Sequence, residues 1–231
     1  MVWLDHADFH RMNQRLEFDG IEKSFNGYPV LSSIHMACDV GTITALLGRN
    51  GSGKSTLMKI VFGTTTAAFK SVRINGRPLL GNYIKQCIIG YLPQRGFIPL
   101  HLKVSQAMFY YGIDPSILLE LFPEFSRWMH QSVNKLSGGY RRILEVLLII
   151  KSKHVFVMLD EPFSGLMPLH IDLLKKVIAQ EKATKGIIIS DHLYRHILDL
   201  SDKTYLLSNG KTYLVKDSSD LIERGYLINE A

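Results

Sequence analysis

The run Gly48-Arg49-Asn50-Gly51-Ser52-Gly53-Lys54-Ser55-Thr56 places spaced glycines ahead of a Lys and a Ser, the residue types that hold a nucleoside triphosphate. Glycines let the backbone bend so that successive N–H groups face one point, and a helix starting near Lys54 aims its positive dipole end there. Lys54 then reaches the β- and γ-phosphates as a point charge, and the Ser55 hydroxyl ligates Mg²⁺. The plain alternative is a Gly-rich turn.

Asp160 and Glu161 end the apolar run Val155-Phe156-Val157-Met158-Leu159. A strand buried on both faces opens its C-terminal tip onto a site. Alternation along that strand sets Asp160 against a Mg²⁺ shell and points Glu161 toward an attacking water; the plain reading is two exposed acids. Leu136-Ser137-Gly138-Gly139-Tyr140-Arg141-Arg142 opens a helix to about Ile150. Ser137 is a good N-cap, and the N–H groups around Gly138 and Gly139 make a second anion site or, standing alone, an ordinary capped helix. His192 follows the apolar run Gly186-Ile187-Ile188-Ile189-Ser190, where an imidazole can hydrogen-bond a γ-phosphate and sense its loss.

These residues need a parallel scaffold. Thr42 to Leu47 reads as a buried strand, and Thr56 to Phe62 carries apolar residues at helical spacing closed by Gly63 as C-cap. Ile88 to Leu92 reads as another strand, with Gln94 just beyond it. The first recognisable strand is Arg15 to Ile21; residues 1–14 carry no motif, and Lys211 to Ala231 reads as a short strand and terminal helix.

At 231 residues and 46% hydrophobic composition, the chain suffices for one α/β domain with a full core and a smaller inserted subdomain. Its longest apolar runs, such as Val146 to Ile150, fall far short of the roughly 20 residues that span a bilayer. The first ten residues lack a basic start and an unbroken apolar stretch, so no signal peptide is expected and the chain is expected to stay in the cytoplasm. A net charge of +6 suits anionic headgroups, nucleic acid or the bound triphosphate alone, and does not choose among them. Arg141-Arg142, Lys151-Ser152-Lys153 and Lys175-Lys176 are short, scattered clusters, the last two read as solvated helix faces. Cys38 and Cys87, on strand-like segments without CxxC or His spacing, read as inert buried thiols.

The phosphate loop, Gln94 in Tyr91-Leu92-Pro93-Gln94, the segment from Leu136, the Asp160-Glu161 strand end and His192 in Ser190-Asp191-His192 occur in an order that resembles the ABC ATPases, over about Arg15 to Gly210. The resemblance implies an α/β P-loop NTPase of ABC type: a mostly parallel core sheet, an N-terminal antiparallel β-subdomain, and an inserted helical subdomain over about 95–150 that includes the signature helix, all within a domain spanning 15–231. It implies ATP and Mg²⁺ as cofactors, with the phosphate loop from Gly48 through Thr56 holding the phosphates. Ser55, Gln94 and Asp160 belong to the metal shell; Glu161, Gln94 and His192 are the catalytic set. Phe25 matches the position of an aromatic ring stacked on adenine, beside its plain reading as a core Phe. Ser137, Gly138 and Gly139 would face the γ-phosphate held by a second ABC ATPase domain, in a homodimer or a pair with a related chain.

By the same resemblance the helical subdomain receives a membrane-spanning permease, with Phe97-Ile98-Pro99-Leu100 and Phe109-Tyr110-Tyr111 supplying apolar surface. The expected role is the ATP-hydrolysing subunit of a transporter, held on the inner face of the cell membrane through that permease, with no nucleic-acid partner. The rivals are a soluble ATPase acting on nucleic acid, ribosome or another protein machine, and a weakly hydrolytic regulatory subunit. Two positions depart from the family pattern: Tyr140 stands where Gln is usual, and Met167 where Asp is usual and helps organise the partner's site.

Overall fold

The computed structural model describes residues 14–227, so all of the motif-free N-terminal extension except Gln14 lies outside the described residues. Strands β1 (Arg15–Phe25) and β2 (Tyr28–Asp39) pair antiparallel through a turn at Asn26-Gly27, both with positive φ. This is the two-residue turn whose twist matches that of the flanking strands. Strand β4 (Phe69–Ile74) pairs antiparallel with β1, and β5 (Arg77–Pro78) with β4. Strands β3 (Ile43–Leu47), β6 (Ile89–Leu92), β7 (Phe156–Asp160), β8 (Gly186–Ser190) and β9 (Lys203–Ser208) run parallel. Strand β10 (Lys211–Val215) returns antiparallel to β9 and meets β2 at Lys211↔Ser33. All ten therefore form one sheet, ordered β5-β4-β1-β2-β10-β9-β3-β8-β7-β6.

Both faces of the parallel part are covered, so its strands are apolar throughout and successive residues divide between two cores. Ile187 and Ile189 enter one core with Val157, Leu159 and Leu47; Ile188 enters the other with Phe156, Met158 and Leu46. The second core closes around helix α1 (Lys54–Phe62), whose Leu57, Met58, Ile60 and Val61 meet Leu16, Phe18, Ile34 and Met36 of the antiparallel strands. Helix α1 ends at Gly63, φ 98°, as its spacing predicts.

The first core carries helices α2 (Val104–Tyr110), α3 (Pro115–Leu121), α4 (Gly138–Ile150), α5 (Pro168–Glu181) and α6 (Tyr194–Leu198); α7 (Ser218–Glu223) follows β10. Helix α4 is buried on every side from Arg142 to Ile150, which fixes it as an interior rod between the parallel sheet and the other helices. Met158 and Met36 are fully buried, as is Cys38 in β2. Cys87 corrects the expectation of two buried strand thiols: it is exposed and left-handed, φ 52°, at the end of a 3₁₀ turn over Tyr83–Gln86.

Candidate functional site

The loop between β3 and α1 turns at Gly53, φ 104°, the residue that caps α1. Gly48 admits no side chain, because a Cβ there would lie 2.6 Å from Ser52 Oγ and 2.7 Å from the Leu207 carbonyl oxygen. The loop borders a cleft of about 610 Å³ lined by Phe25, Val30, Asn50, Gly51, Gly53, Lys54, Ser55, Thr56, Gln94, Glu161 and His192. Phe25 ends β1 half-exposed, with Lys23 Nζ 5.0 Å from its ring centroid; a solvent-facing ring at a cleft edge is free to stack on a base.

Lys54 is buried, and its Nζ donates to the carbonyls of Gly48 at 2.7 Å and Arg49 at 3.1 Å. Burial lowers its pKa, opposed by the carboxylates of Glu161, Asp160 and Asp191. Asp160 lies behind the cleft, 1% exposed, and Oδ2 accepts from the Tyr91 hydroxyl at 3.1 Å. Its Oδ1 is buried and makes no hydrogen bond within ordinary distance and angle limits. Burial raises the Asp160 pKa; the Ser55 and Tyr91 hydroxyls pull it down, Glu161 raises it and Lys54 lowers it. An unpartnered carboxylate oxygen beside a hydroxyl, with the Gln94 amide on the same cleft, is an all-oxygen set of the kind a hard cation takes. Among the described residues no three His, Cys, Asp or Glu converge on a cage.

Glu161 corrects the reason given for its separation from Asp160. Strand β7 stops at Asp160, and Glu161 is left-handed, φ 54°, so a backbone reversal, not strand alternation, parts the two carboxylates. Such a conformation costs of order 1–2 kcal/mol for a residue with a Cβ. Both of its backbone groups are held: the N–H donates to the Ser190 carbonyl at 2.6 Å, and the carbonyl accepts from Arg142 Nη2 at 2.9 Å and Nε at 3.3 Å. His192 Nδ1 lies 4.0 Å from Glu161 Oε2 and 3.1 Å from Asp191 Oδ1. Asp191 is buried and anchors the loops by accepting from the Phe163 and Leu193 N–H groups at 2.9 and 3.0 Å.

Several expected site residues lie elsewhere. The Arg49 side chain turns from the cleft and donates to the Gly225 carbonyl at 2.6 Å, tying the loop to the chain's C-terminal part. Ser52 sits under Gly48 with its Oγ buried. Ser137 caps α4, its Oγ accepting from the Tyr140 N–H at 3.4 Å. Ser137, Gly138 and Gly139 do not line the cleft; Gly139 is pressed against the Gly165 carbonyl, which a Cβ would approach to 3.0 Å. Tyr140 has its own place among aromatic rings, with centroids 4.5 Å from Trp128, 5.5 Å from Phe125 and 5.6 Å from His170.

The apolar segments expected to meet a permease divide. Phe97 and Tyr111 line a groove of about 420 Å³ with Phe62, Tyr91 and Pro93; Ile98 is in the core, and Phe109 and Tyr110 are exposed. Arg142, Tyr91 and Asp191 escaped the sequence reading as site residues. The available signal was charge at Arg142 and Glu145, three apart at the start of a stretch that is otherwise apolar from Ile143 to Ile150, since charges so placed are normally paired.

The ABC transporter family model matches residues 31–164. The chain is 30% identical over 209 residues to the high-affinity branched-chain amino acid transport ATP-binding protein BraG of Pseudomonas aeruginosa, spanning 85% of this chain and 90% of that one. It is 30% identical over 211 residues to the lipopolysaccharide export system ATP-binding protein LptB of Haemophilus influenzae, spanning 85% and 88%. A solved structure of an ATP binding subunit of an ABC transporter shares the fold, with a TM-score of 0.78 at 24% identity over 91% of this chain and 93% of that one.

Proposed function

The chain belongs to the ABC transporter family as an ATP-binding domain, and from that premise we propose that it hydrolyses MgATP in a closed dimer to power a membrane-spanning permease. The observation that carries the reading is the shared cleft: Lys54, Ser55, Gln94, Glu161 and His192 line one space at the N-terminus of α1. The loop N–H groups and Lys54 bind the phosphates, and Phe25 packs on the base. Mg²⁺, held by Ser55, Gln94 and Asp160, would neutralise charge on the β- and γ-oxygens. Glu161 orients a water and takes its proton as the water oxygen bonds to the γ-phosphorus; the bond from that phosphorus to the β–γ bridging oxygen breaks, releasing ADP and inorganic phosphate. His192 donates to the γ-phosphate, and positioning with charge neutralisation carries most of the rate.

The place of Ser137 supports the dimer. Its helix N-terminus lies outside the chain's own cleft, so its N–H groups are available to a nucleotide held by a second ATPase domain, whether another copy or a related chain. The Phe97 and Tyr111 groove is the surface on which a permease would dock, placing the chain peripherally at the cytoplasmic face of the membrane. No helix among the described residues is long and apolar enough to cross a membrane. The test is Glu161→Gln in the full chain. Binding of ATP is retained, a closed dimer accumulates, and turnover falls by about 10²–10⁴-fold; near-normal turnover removes Glu161 from the role of base.

A further inference from the structure

We propose that Arg142 is a positioning residue for hydrolysis, setting the Glu161 carboxylate toward the water and holding the Gln94 loop in register with it. The inference rests on Glu161 being the base. Arg142 projects from the buried signature helix α4 onto the ends of two adjacent parallel strands. Its Nη1 donates to the Pro93 carbonyl at 2.8 Å, just past β6 and next to Gln94. Its Nη2 donates to the carbonyls of Asp160 and Glu161, and its Nε to the Glu161 carbonyl at 3.3 Å. The carbonyls beyond a strand's last ladder bond have lost their partners and must find others when buried. A planar fork of N–H donors meets several such carbonyls at once, which a lysine ammonium cannot do in the same geometry.

Glu161 gives the arrangement its chemical consequence. A left-handed residue persists where its surroundings over-determine it, and here the N–H is held by the Ser190 carbonyl while the carbonyl accepts from Arg142 and from the Ser164 N–H at 3.2 Å. Loss of Arg142 leaves that carbonyl to the Ser164 N–H alone and loosens the backbone angles that aim the carboxylate. Glu145, one turn along α4, extends the same brace: Oε2 lies 3.3 Å from Arg142 Nη1, and Oε1 fills the space beside Gly96 where a Cβ would come within 2.7 Å. The loop from Pro93 to Phe97 and the turn at Asp160-Glu161 are thus gripped by one pair of side chains. Phe97 and Pro93 also line the apolar groove, so a load placed there reaches Glu161 through Arg142. The hydrogen bonds of Arg142 go to Pro93, Glu145, Asp160 and Glu161 and not to the phosphate loop, and ATP affinity is left to Lys54 and its neighbours.

The experiment compares wild type, Arg142→Lys, Arg142→Ala and Glu161→Gln as full chains. It measures kcat and KM for ATP, affinity for a fluorescent ATP analogue, and amide hydrogen exchange over 93–97 and 160–164. Both Arg142 variants are expected to lose on the order of 10²-fold in kcat, the scale of a misplacement of about 1 Å. KM and analogue affinity stay within about threefold, the pattern of an interaction realised in the transition state. Exchange rises in both segments together. Arg142→Lys keeps the buried charge and carries the test alone if the alanine variant does not fold. A kcat near wild type in Arg142→Lys, or losses in kcat and affinity that track a general loss of stability, overturns the positioning role. Glu161→Gln separates the two ideas: normal turnover there overturns the base itself, whereas impaired turnover there beside normal turnover in Arg142→Lys overturns only the proposal for Arg142.

Discussion

The Tyr91 hydroxyl and the Asp160 carboxylate meet at 3.1 Å between adjacent parallel strands, one oxygen of the acid taken by the phenol and the other left without a hydrogen bond. On the proposed role of Asp160 in the Mg²⁺ shell, the phenol leaves Oδ1 as the oxygen that would meet the cation. Tyr91→Phe strips the donor and leaves a second buried acceptor unsatisfied, at a cost of about 1–3 kcal/mol. Thermal unfolding is expected to show a lower Tm, and a Mg²⁺ titration of ATPase activity a midpoint at several-fold higher concentration. An unchanged Mg²⁺ midpoint would separate Tyr91 from the metal shell.

Asp160 makes stability depend on pH in a definite direction. Burial raises its pKa above the ordinary 3.8, so the folded chain holds that proton more tightly than the unfolded one. Its contribution is fully present below the unfolded pKa and is lost as pH rises through the folded one. At neutral pH the buried charge therefore works against folding in the absence of a cation. Asp160→Asn is expected to raise the Tm at pH 7 without nucleotide, the gain shrinking as pH falls toward 4, and to abolish the added stability conferred by Mg²⁺ with ATP. Melting curves across pH, with and without MgATP, check both effects.

Met167 is the N-cap of α5, ahead of Pro168 at the first helical position, and it is 58% exposed with no side-chain cap bond. A carboxylate at that position can accept from the Leu169 N–H, since Pro168 has none and those of His170 and Ile171 donate to the Met167 carbonyl, and it meets the positive end of the helix. Met167→Asp is expected to stabilise the chain by about 0.5–2 kcal/mol and, by restoring the residue usual in the family, to raise turnover several-fold. A higher Tm with unchanged ATPase activity would mean that Met167 is a local lapse in capping with no bearing on hydrolysis.

The two thiols differ sharply in access. Cys38 is fully buried and desolvation pushes its thiol up to about 12, whereas Cys87 is exposed. The thiolate is the reactive form, so an alkylating reagent at pH 8 should label Cys87 on the folded chain and reach Cys38 only after unfolding. Peptide mapping of the labelled protein reads this directly; early labelling of Cys38 would show that β2 opens readily.

Legibility followed the range of the forces involved. The loop from Gly48 to Thr56, the cap at Gly63 and the Ser137 cap were readable because each is settled within a few residues by backbone geometry and local hydrogen bonding. The parallel strands were readable because burial on both faces removes polar residues from them. Arg49 was not, since its partner Gly225 lies 176 positions away. Cys87 was misplaced because an apolar neighbourhood looks strand-like until the 3₁₀ turn at Tyr83 to Gln86 exposes its end. Tyr140 stood out as a departure from a pattern, and its reason is the cluster of Phe125, Trp128 and His170 that surrounds it.

What the sequence by itself determined is local structure and kinship: a glycine-rich loop ahead of a helix, two carboxylates where a strand ends, a second capped helix, and the order of motifs that identifies the family. These rest on residue type and short spacing, which physical chemistry ties to local structure. What only the tertiary structure decided is aim. The left-handed turn at Glu161, the hold of Arg142 on three carbonyls and the unpartnered oxygen of Asp160 arise where strands β6, β7 and β8 end side by side against α4. Buried backbone groups at that junction must find partners across long stretches of chain, and such pairings exist only once the sheet has closed.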